Sequence, residues 1–316
     1  MKVITVHHPH SISKNEFPPL VLALGYFDGV HKGHQRVIRS AVEEAKEQGV
    51  SSAVMTFDPH PSVVLGHKHK HIHYITPLED KKEIIKELGV DYLFIVRFTS
   101  EFANLTPQDF VDQYIIGLNV RHVVAGYDYS YGRMGKGTME TLPFHSREMF
   151  ASTTVSKLTD ADLELKVSSS LIRENLKEGD VSRVKNLLGR PFKMKGTVIH
   201  GDKRGRKIGF PTANIELSDD YLTPKVGVYA VRMKIHDKWF DGVCNIGYKP
   251  TFKNPDDYSL SIEVHLFDFH TSIYGEEVFI EWYDRIRDEQ KFSGIEELIS
   301  QIQKDKDQAI DYFAKN

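Results

Sequence analysis

Short apolar runs separated by helix-period segments fill the first half of the chain. Leu20 to Leu24 is a continuous apolar run, which is typical of a buried strand. Apolar residues then recur every three or four positions from Val37 to Ala45 and predict an amphipathic helix. Further strands are expected at 50–57, 90–96 and 120–125. Apolar strands joined by helices predict a parallel sheet with helices packed on its faces.

Helix-start signals support this alternation. In Thr76-Pro77-Leu78-Glu79 and Thr106-Pro107-Gln108-Asp109, a threonine precedes a proline and an acidic residue. This order predicts a threonine N-cap, proline at the first helical position and a carboxylate in the first turn. Gly49 and Gly89 follow the predicted helices and are expected to end them.

The second half has a different period. Beyond Leu188-Gly189-Arg190-Pro191, apolar and polar residues alternate, and we expect strands at 228–235, 239–246, 260–269 and 278–284. These short strands predict an all-β domain, with a small barrel as the expected architecture, and a final amphipathic helix follows from Ile295. The fold class is therefore α/β plus all-β, with domains expected at 1–185 and 186–316.

Composition narrows the class of protein. The chain has 316 residues, 40% of them hydrophobic, and a net charge of −3, so no basic excess favours nucleic acid. Its single cysteine, Cys244, cannot form an intramolecular disulfide, which suits a reducing compartment. No signal peptide and no apolar run long enough for a membrane helix is recognised. We expect a cytoplasmic protein that binds neither nucleic acid nor membrane; protein partners are not indicated.

Two histidines mark the point where the first strand gives way to a helix. His31 and His34 lie three residues apart in the stretch from Gly25 to His34, so they share one helix face. Helix N-termini offer free N–H groups and partial positive charge, which suit phosphate. Imidazoles placed there predict nucleotidyl transfer; the plainer alternative is surface histidines in a strand–helix turn.

A second anion-binding pattern lies near residue 170. Ser168, Ser169 and Ser170 precede a helical pattern that carries Arg173 in its first turn. The serines could simply cap the helix. Hydroxyls, a helix N-terminus and a guanidinium also make a phosphate clamp.

Two loops after predicted strands suit a ring-binding pocket. Thr56 to Pro61 carries Phe57 and Pro59 on a loop stiffened by prolines, although a rigid turn is the simpler interpretation. Ala125 to Gly132 includes Asp128 and Tyr129, an acid and an aromatic suited to a flat ring, and we expect the following glycine-rich loop to cover the substrate.

These motifs together resemble a known family. Residues 20–180 are similar to the FMN adenylyltransferase module of prokaryotic bifunctional riboflavin kinase/FAD synthetases. The resemblance implies that His31 and His34 are catalytic and that Phe57, Pro59, Asp128 and Tyr129 bind flavin. It also implies ATP binding by six residues: Gly25, Phe27, Asp28, Ser168, Ser169 and Arg173. Tyr129 departs from the usual phenylalanine but keeps the aromatic ring.

A glycine- and lysine-rich loop opens the second domain. Gly205, Lys207 and Gly209 precede Thr212 and Asn214. The glycines let backbone amides approach phosphates, and hydroxyl and amide oxygens are suitable ligands for Mg²⁺. The alternative is a basic hairpin loop. The string Gly209-Phe210-Pro211-Thr212-Ala213-Asn214 resembles the riboflavin kinase signature, which implies that this loop binds ATP and that Thr212 and Asn214 hold the metal.

Glu263 is the candidate base of this domain. Ile262, Val264 and Leu266 share one face of a predicted strand, and Glu263 lies on the other face with Ser261 and His265. The alternation of side chains along the strand, taken alone, places Glu263 on the solvent-facing side. The resemblance of Ser261 to Phe269 to the family implies instead that Glu263 activates the ribityl hydroxyl of riboflavin.

The resemblance implies an enzyme with two activities. We expect phosphorylation of riboflavin to FMN and adenylylation of FMN to FAD, with ATP as co-substrate, Mg²⁺ as cofactor and riboflavin, FMN and ATP as small-molecule partners. The alternatives are an adenylyltransferase for another phosphorylated cofactor precursor and a flavin-binding regulator with decayed catalysis.

One histidine-rich loop is not absorbed by this interpretation. His67, His69, His71 and His73 alternate along the chain, which is a spacing that could bind a metal on one face of a strand. No carboxylate or cysteine accompanies them. A solvated loop is the alternative that we favour.

Overall fold

The computed structural model describes residues 1–66, 72–159, 166–201, 204–250 and 258–316. Its chain divides into two compact units, Met1–Ser169 and Ser170–Asn316. The division leaves the helices between 170 and 188 in the second unit. The functional boundary expected at 185/186 stays a prediction.

A parallel sheet forms the centre of the first unit. Its six strands in the described residues have the order β1-β4-β3-β2-β5-β8, and every neighbouring pair is parallel. The strands are β1 (Lys2–Val6), β2 (Leu20–Leu24), β3 (Ser51–Asp58), β4 (Tyr92–Arg97), β5 (Val120–Gly126) and β8 (Ala151–Val155). A separate two-stranded hairpin consists of β6 (Ser130–Tyr131) and β7 (Gly137–Thr138). The parallel sheet and its apolar strands are confirmed.

Helices connect these strands. They are α1 (Lys32–Gln48), α2 (Pro61–Leu65), α3 (Leu78–Glu87), α4 (Ser100–Ala103), α5 (Pro107–Tyr114) and α6 (Leu142–Ser146). Short 3₁₀ turns occur at Lys14–Glu16, Ile116–Leu118 and Arg133–Gly135. The buried face of α1 consists of the residues that the sequence predicted: Val37, Ile38, Ala41, Val42 and Ala45.

One predicted cap is confirmed and another is wrong. Thr106 caps α5, and its hydroxyl accepts a hydrogen bond from the Asp109 amide at 3.1 Å. Thr76 does not cap α3, which begins at Leu78 with Pro77 at the cap position. The amides of Ile75 and Thr76 instead donate to the Asp28 carboxylate, each at 3.1 Å. A distant side chain thus satisfies the free N–H groups before the helix.

An antiparallel barrel forms the second unit. Its strand order, β10-β13-β12-β11-β14-β9, closes through pairing of β9 with β10. The strands are β9 (Phe192–Ile199), β10 (Ala213–Leu217), β11 (Gly227–Ile235), β12 (Lys238–Pro250), β13 (Tyr258–Leu266) and β14 (Glu277–Arg287). Its helices are α7 (Ser169–Glu178), which begins at the division, α8 (Val181–Leu188), α9 (Arg204–Lys207) and α10 (Ile295–Lys315).

The barrel and the final helix are confirmed, and four of the strands were expected. The sequence did not predict β9 and β10. Burial alternates along β9, but charged residues such as Lys193 and Lys195 interrupt its apolar pattern. The strand β10 spans only 5 residues, too few for a clear period.

Candidate active sites

The sheet brings three of the sequence motifs to one edge. Leu24, at the carboxyl end of β2, pairs with Met55 of β3 on one side and with Ala125 of β5 on the other. The loops after these three strands therefore start side by side. They are the loops that contain Gly25 to His34, Thr56 to Pro61 and Gly126 to Gly132. Ligands of parallel α/β sheets bind at such carboxyl ends.

The turn after β2 is tightly built. A Cβ on Gly25 would lie 2.6 Å from the Phe27 ring, so this position requires glycine. Phe27 itself adopts a φ of 57°, in the left-handed region that non-glycine residues rarely occupy. Its ring is buried and contacts the His34 imidazole edge-on, with centroids 5.3 Å apart. The turn thus fixes one side of His34.

The two histidines are stacked at the start of α1. His31 is the N-cap, and its Nδ1 accepts a hydrogen bond from the His34 amide at 3.2 Å. The imidazole centroids are 3.6 Å apart. Burial lowers the pKa of His34 well below its usual value, and the nearby charges of His31, Lys81 and Lys166 lower it further. His34 is therefore a neutral imidazole at physiological pH, and its buried Nδ1 has no hydrogen-bond partner among the described residues.

The serine motif meets this turn inside the first unit. Ser169 Oγ donates to the backbone carbonyl of Asp28 at 2.8 Å. A Cβ on Gly33 would lie 3.6 Å from the Val167 carbonyl, so α1 begins close to the segment that contains Ser168. Arg173 lies four residues beyond Ser169 on α7, in the second unit.

Asp28 is buried, and its carboxylate binds backbone amides. Its carboxylate accepts the two amide hydrogen bonds before α3 described above, and Asp28 does not line the neighbouring cavity. Because both hydrogen bonds go to backbone, Asp28 fixes the entrance to α3. Its predicted part in ATP binding stays a prediction.

A cavity of about 450 Å³ opens beside these residues, a size typical of small-molecule sites. Its lining includes the predicted residues Gly25, Phe27, His34, Phe57, Asp128 and Tyr129. Pro59 follows a cis peptide bond with Asp58, and the next proline, Pro61, lines the cavity. Burial raises the pKa of Tyr129, so its phenol stays neutral. Lys166 pairs with Asp128 and lies over the Tyr127 ring, 4.9 Å from its centroid.

In the barrel, Thr212, Asn214 and Glu263 come together. Asn214 of β10 is the register partner of Glu263 on β13. Thr212 Oγ1 donates to Glu263 Oε2 at 3.2 Å, and Ser261 Oγ donates to Oε1 at 3.3 Å. As predicted, Ile262, Val264 and Leu266 are buried on one face of β13. Glu263 is not simply solvent-facing, because it is partly buried and engaged on both carboxylate oxygens.

A lysine that the sequence analysis missed joins this cluster. Lys249 Nζ lies 2.5 Å from Glu263 Oε1 and 3.3 Å from Asn214 Oδ1. The oxygen donors therefore already surround a cation. Gly201 leaves space for the amide of Asn214, since a Cβ there would lie 2.2 Å from Nδ2.

The loop before Thr212 is a compact turn. The Phe210 amide donates to the Gly205 carbonyl at 2.9 Å, and a Cβ on Gly205 would lie 2.3 Å from the Phe210 carbonyl oxygen. Gly209 has a φ of 90°, which also favours glycine. Lys207 is the last residue of α9 and is exposed. His265 Nδ1 donates to the Pro211 carbonyl at 2.8 Å and so ties the residue before Thr212 to β13.

Two cavities adjoin Thr212. One, of about 310 Å³, is lined by Glu263, Asn245 and Gly205 and by Leu298 and Ile302 of α10. The other, of about 380 Å³, is lined by Arg206, Pro211 and residues 269–274. Thr212 lines both cavities, so they adjoin at this residue, and Glu263 lines the first of them.

An ion pair ties α10 to the mouth of the first of these cavities. Arg287 Nε lies 2.8 Å from Asp305 Oδ1, and Arg287 NH2 lies 2.7 Å from Oδ2. Asp305 is buried and also accepts a hydrogen bond from Gln301 at 2.8 Å. This ion pair was not predicted from the sequence, although a single aspartate on the apolar face of a helix is a detectable signal.

Comparison with known families follows the same division of the chain. Residues 13–171 match the family model described as FAD synthetase, and residues 188–313 match the model described as riboflavin kinase. A bifunctional riboflavin kinase/FMN adenylyltransferase from Bacillus subtilis is 54% identical over 314 residues, which cover 99% of each chain. The chain belongs to the bifunctional riboflavin kinase/FMN adenylyltransferase family. The resemblance inferred from the motifs is thereby confirmed.

A second relative and one solved structure are also similar over nearly the whole chain. The enzyme from Listeria monocytogenes is 52% identical and covers 100% of this chain and 99% of its own. A crystal structure described as a macrolide-efflux protein from Streptococcus pneumoniae superposes with a TM-score of 0.86 at 34% identity, covering 96% of this chain and 97% of that one. In the part of the chain that the structure describes, no helix is long and apolar enough to span a membrane.

Most of the histidine-rich loop lies outside the described residues. His67, His69 and His71 lie outside the described residues, whereas His73 lies within them. Among the residues that are described, no group of three or more His, Cys, Asp or Glu side chains is placed to hold a metal ion. That statement does not apply to Thr212 and Asn214, because their candidate metal ligands are a hydroxyl oxygen and an amide oxygen.

Proposed function

We propose that this chain makes flavin cofactors in two steps at two separate active sites. Residues 186–316 phosphorylate riboflavin with ATP to give FMN and ADP, and residues 1–185 transfer AMP from ATP to FMN to give FAD and pyrophosphate. One observation carries the proposal: His34, Asp128 and Tyr129 line a cavity in the first compact unit, and Thr212 and Glu263 line a separate cavity in the second. Family membership supports it.

In the first site, adenylyl transfer needs stabilisation of charge on the α-phosphate of ATP. The phosphate oxygen of FMN attacks the α-phosphorus, and pyrophosphate leaves. His31 and His34 lie at the N-terminus of α1, where the helix dipole also favours an anion. Because His34 is neutral, it acts as a hydrogen-bond donor rather than as a cation.

The remaining residues of this site bind the two substrates. Ser168, Ser169 and Arg173 hold phosphates of ATP, as do the backbone groups of the turn that contains Gly25, Phe27 and Asp28. Phe57, Pro59, Asp128 and Tyr129 receive the flavin, and the neutral ring of Tyr129 is suited to stacking on the isoalloxazine. Five of these residues share the 450 Å³ cavity, namely Gly25, Phe27, Phe57, Asp128 and Tyr129.

In the second site, Glu263 acts as general base. It takes the proton from the ribityl 5′-hydroxyl as that oxygen attacks the γ-phosphorus of ATP, and ADP leaves. The ribityl chain lies in the cavity beside Glu263, and the nucleotide lies in the adjoining cavity across Thr212. Gly205, Lys207 and Gly209 bind the ATP phosphates on the loop between these cavities. Positioning and electrostatics carry most of phosphoryl transfer.

Thr212 and Asn214 would hold Mg²⁺ in the kinase site. Their fit is supported by the Lys249 ammonium, which already lies within 3.3 Å of Asn214 Oδ1, so this group of oxygens accepts a cation. Oxygen donors are the ligands that Mg²⁺ prefers. When bound, the metal neutralises charge on the nucleotide phosphates. We also place the reactions in the cytoplasm, where a lone, buried thiol such as Cys244 stays reduced.

A time course with the purified chain tests the proposal. Riboflavin and MgATP are supplied, and the flavins are separated at intervals. FMN that appears first and then declines as FAD accumulates is the expected result. No turnover with tight flavin binding would indicate a regulator with decayed catalysis, and adenylylation of another phosphorylated precursor but not of FMN would reassign the first site.

A further inference from the structure

One lysine beside the adenylyl-transfer site is almost fully buried. Lys81, on α3, is 2% exposed and lies on the same helix face as the buried Ile85. Its Nζ donates to the Tyr26 carbonyl at 2.9 Å and lies 4.3 Å from the centroid of the Tyr26 ring. Tyr26 belongs to the turn between β2 and the catalytic histidines and lines the 450 Å³ cavity.

Packing alone does not account for a charged group at this position. A buried ammonium loses its hydration, and this cost lowers the pKa of Lys81 to about 8. The charges of Asp28 and Asp58 act in the opposite direction and favour the ammonium. A methionine would fill similar space on this face of the helix without the desolvation cost. The ammonium therefore calls for an explanation outside core packing.

The contacts of the Tyr26 carbonyl explain why an ammonium is buried here. It accepts hydrogen bonds from two side chains, Lys81 Nζ and Thr56 Oγ1, the latter at 2.7 Å. The next residue, Phe27, has the unfavourable φ of 57°, a conformation that persists only when its surroundings enforce it. Phe27 in turn contacts the His34 ring. A chain of contacts thus runs from Lys81 through the turn to His34.

We propose that Lys81 is a positioning residue for adenylyl transfer, whose ammonium holds the Tyr26 carbonyl and so fixes the turn that orients His34. The inference rests on the proposed adenylyltransferase activity of the first site. Lys81 also acts through its charge, which contributes to the lowered pKa of His34 and helps to keep that imidazole neutral.

The test compares Lys81→Met and Lys81→Arg with Lys86→Met. Lys86 is a matched control because it lies on the same helix with a side chain that is 59% exposed. FAD formation from FMN and FMN formation from riboflavin are measured on each preparation. A displaced catalytic group costs up to about 100-fold in rate, so we expect Lys81→Met to lower kcat for FAD formation by about 10- to 100-fold. KM for FMN and kinase activity should stay near wild type, Lys81→Arg should recover much of the rate, and Lys86→Met should match wild type.

A pH profile provides a readout that loss of folding in Lys81→Met cannot obscure. The titratable and charged groups that interact with this ammonium are Asp28 after β2, Asp58 at the end of β3, His34 on α1 and the Tyr26 ring. Tyr74, before α3, interacts with the same two aspartates. Above pH 8, His34 is already neutral, and burial raises the pKa of Tyr74, so Lys81 is the group expected to lose its proton. Wild-type kcat for FAD formation should fall above pH 8, whereas Lys81→Arg, which keeps its charge, should hold its rate.

The outcomes separate the two proposals. Wild-type protein that makes no FAD overturns the proposed function and this inference with it. Wild-type protein that makes FAD, with a Lys81→Met kcat within twofold of it or a loss shared equally by the kinase, overturns the role of Lys81 alone. An alkaline limb that is the same in wild type and Lys81→Arg also overturns it.

Discussion

The Lys249 ammonium and the Glu263 carboxylate form an ion pair with Nζ 2.5 Å from Oε1. Lys249 thus lies within the proposed kinase site and contacts both the general base, Glu263, and the amide of Asn214. A cation of the chain therefore lies where the phosphates and their metal are expected to gather. Lys249 must share or give up these oxygens when a divalent cation binds.

Replacing Lys249 by methionine should strengthen binding of a divalent cation. A partly exposed ion pair is worth about 0.2–1 kcal/mol, so removal of the competing ammonium should tighten Mn²⁺ binding by about 1.4- to fivefold. The dissociation constant for Mn²⁺ is measured by electron paramagnetic resonance as Mn²⁺ is titrated into the nucleotide-free protein. Lys234→Met is the control, since Lys234 pairs with Asp237 in a hairpin remote in sequence from this site. Unchanged or weaker binding in Lys249→Met would contradict competition.

Replacing Glu263 by glutamine should separate the two activities. The amide keeps the size of the side chain but cannot take a proton, and general-base help is typically worth about 10²–10⁴ in rate. We expect FMN formation from riboflavin to fall by that factor, while FAD formation from supplied FMN stays unchanged. Glu281→Gln is the control, because Glu281 lies on β14, which pairs with β9 and β11 and not with β13, and it should leave both rates intact. Undiminished kinase turnover in Glu263→Gln would remove its assigned role.

We expect both His31 and His34 to contribute to catalysis, and His31 alone to contribute also to stability. Loss of one preorganised donor to a developing charge costs about 2.7–4 kcal/mol, so His31→Ala and His34→Ala should each lower FAD formation by about 10²-fold or more. FMN formation should persist. His31→Ala should also lower the free energy of unfolding of the first unit by about 1 kcal/mol, because His31 caps α1.

His31→Asn provides the matched control for this difference. Asparagine is a good N-cap, so it should restore stability in urea denaturation without restoring FAD formation. Full activity in His31→Asn would show that capping alone is required. Equal loss of both activities in His34→Ala would contradict the division into two sites.

The pH dependence of stability should reveal the buried His34. Its pKa is lowered in the folded chain, chiefly by burial, so below about pH 6.5 the unfolded chain binds more protons than the folded one. The free energy of unfolding of the first unit should therefore decrease as pH falls from 7 to 5. His34→Asn should show a smaller decrease in urea denaturation followed by circular dichroism. His10, whose pKa is also lowered, contributes with the same sign in both proteins, so the difference between them isolates His34. Parallel pH curves would show that His34 does not titrate below its usual value.

Breaking the ion pair between Arg287 and Asp305 should release α10 from the kinase cavity. Removal of one partner from a buried pair costs about 3–5 kcal/mol, so Asp305→Ala should lower the stability of the second unit by about 3 kcal/mol. Both tryptophans, Trp239 and Trp282, lie in that unit, so their fluorescence reports its unfolding. Asp307→Ala is the control, because Asp307 accepts the equivalent hydrogen bond from Gln303 on the exposed side of α10. Kinase activity should fall in Asp305→Ala alone. Equal stability of the two variants would contradict the stabilising role of the Arg287–Asp305 ion pair.

Local pattern was sufficient where a short stretch of chain carries the whole signal. The strand Leu20–Leu24, the buried face of α1, the Thr106 cap and the final helix are each indicated by residues within one contiguous segment, and each is confirmed. The Thr76 cap was predicted from the same kind of signal and is wrong. The Thr76 amide instead donates to a carboxylate 48 residues away, and a local pattern carries no information about such a partner.

The sequence by itself determined the two domain classes, the family and the residue types available for phosphate chemistry, because periodicity and contiguous motifs are local properties of the chain. Only the tertiary structure decided which of those residues meet. Thr212 and Glu263 are 51 residues apart, and Tyr26 and Lys81 are 55 apart, so sheet register and helix packing create both contacts. Lys81 and Lys249 show the consequence most clearly, since whether a lysine is solvated or buried against a carbonyl or carboxylate depends on strands and helices distant in sequence.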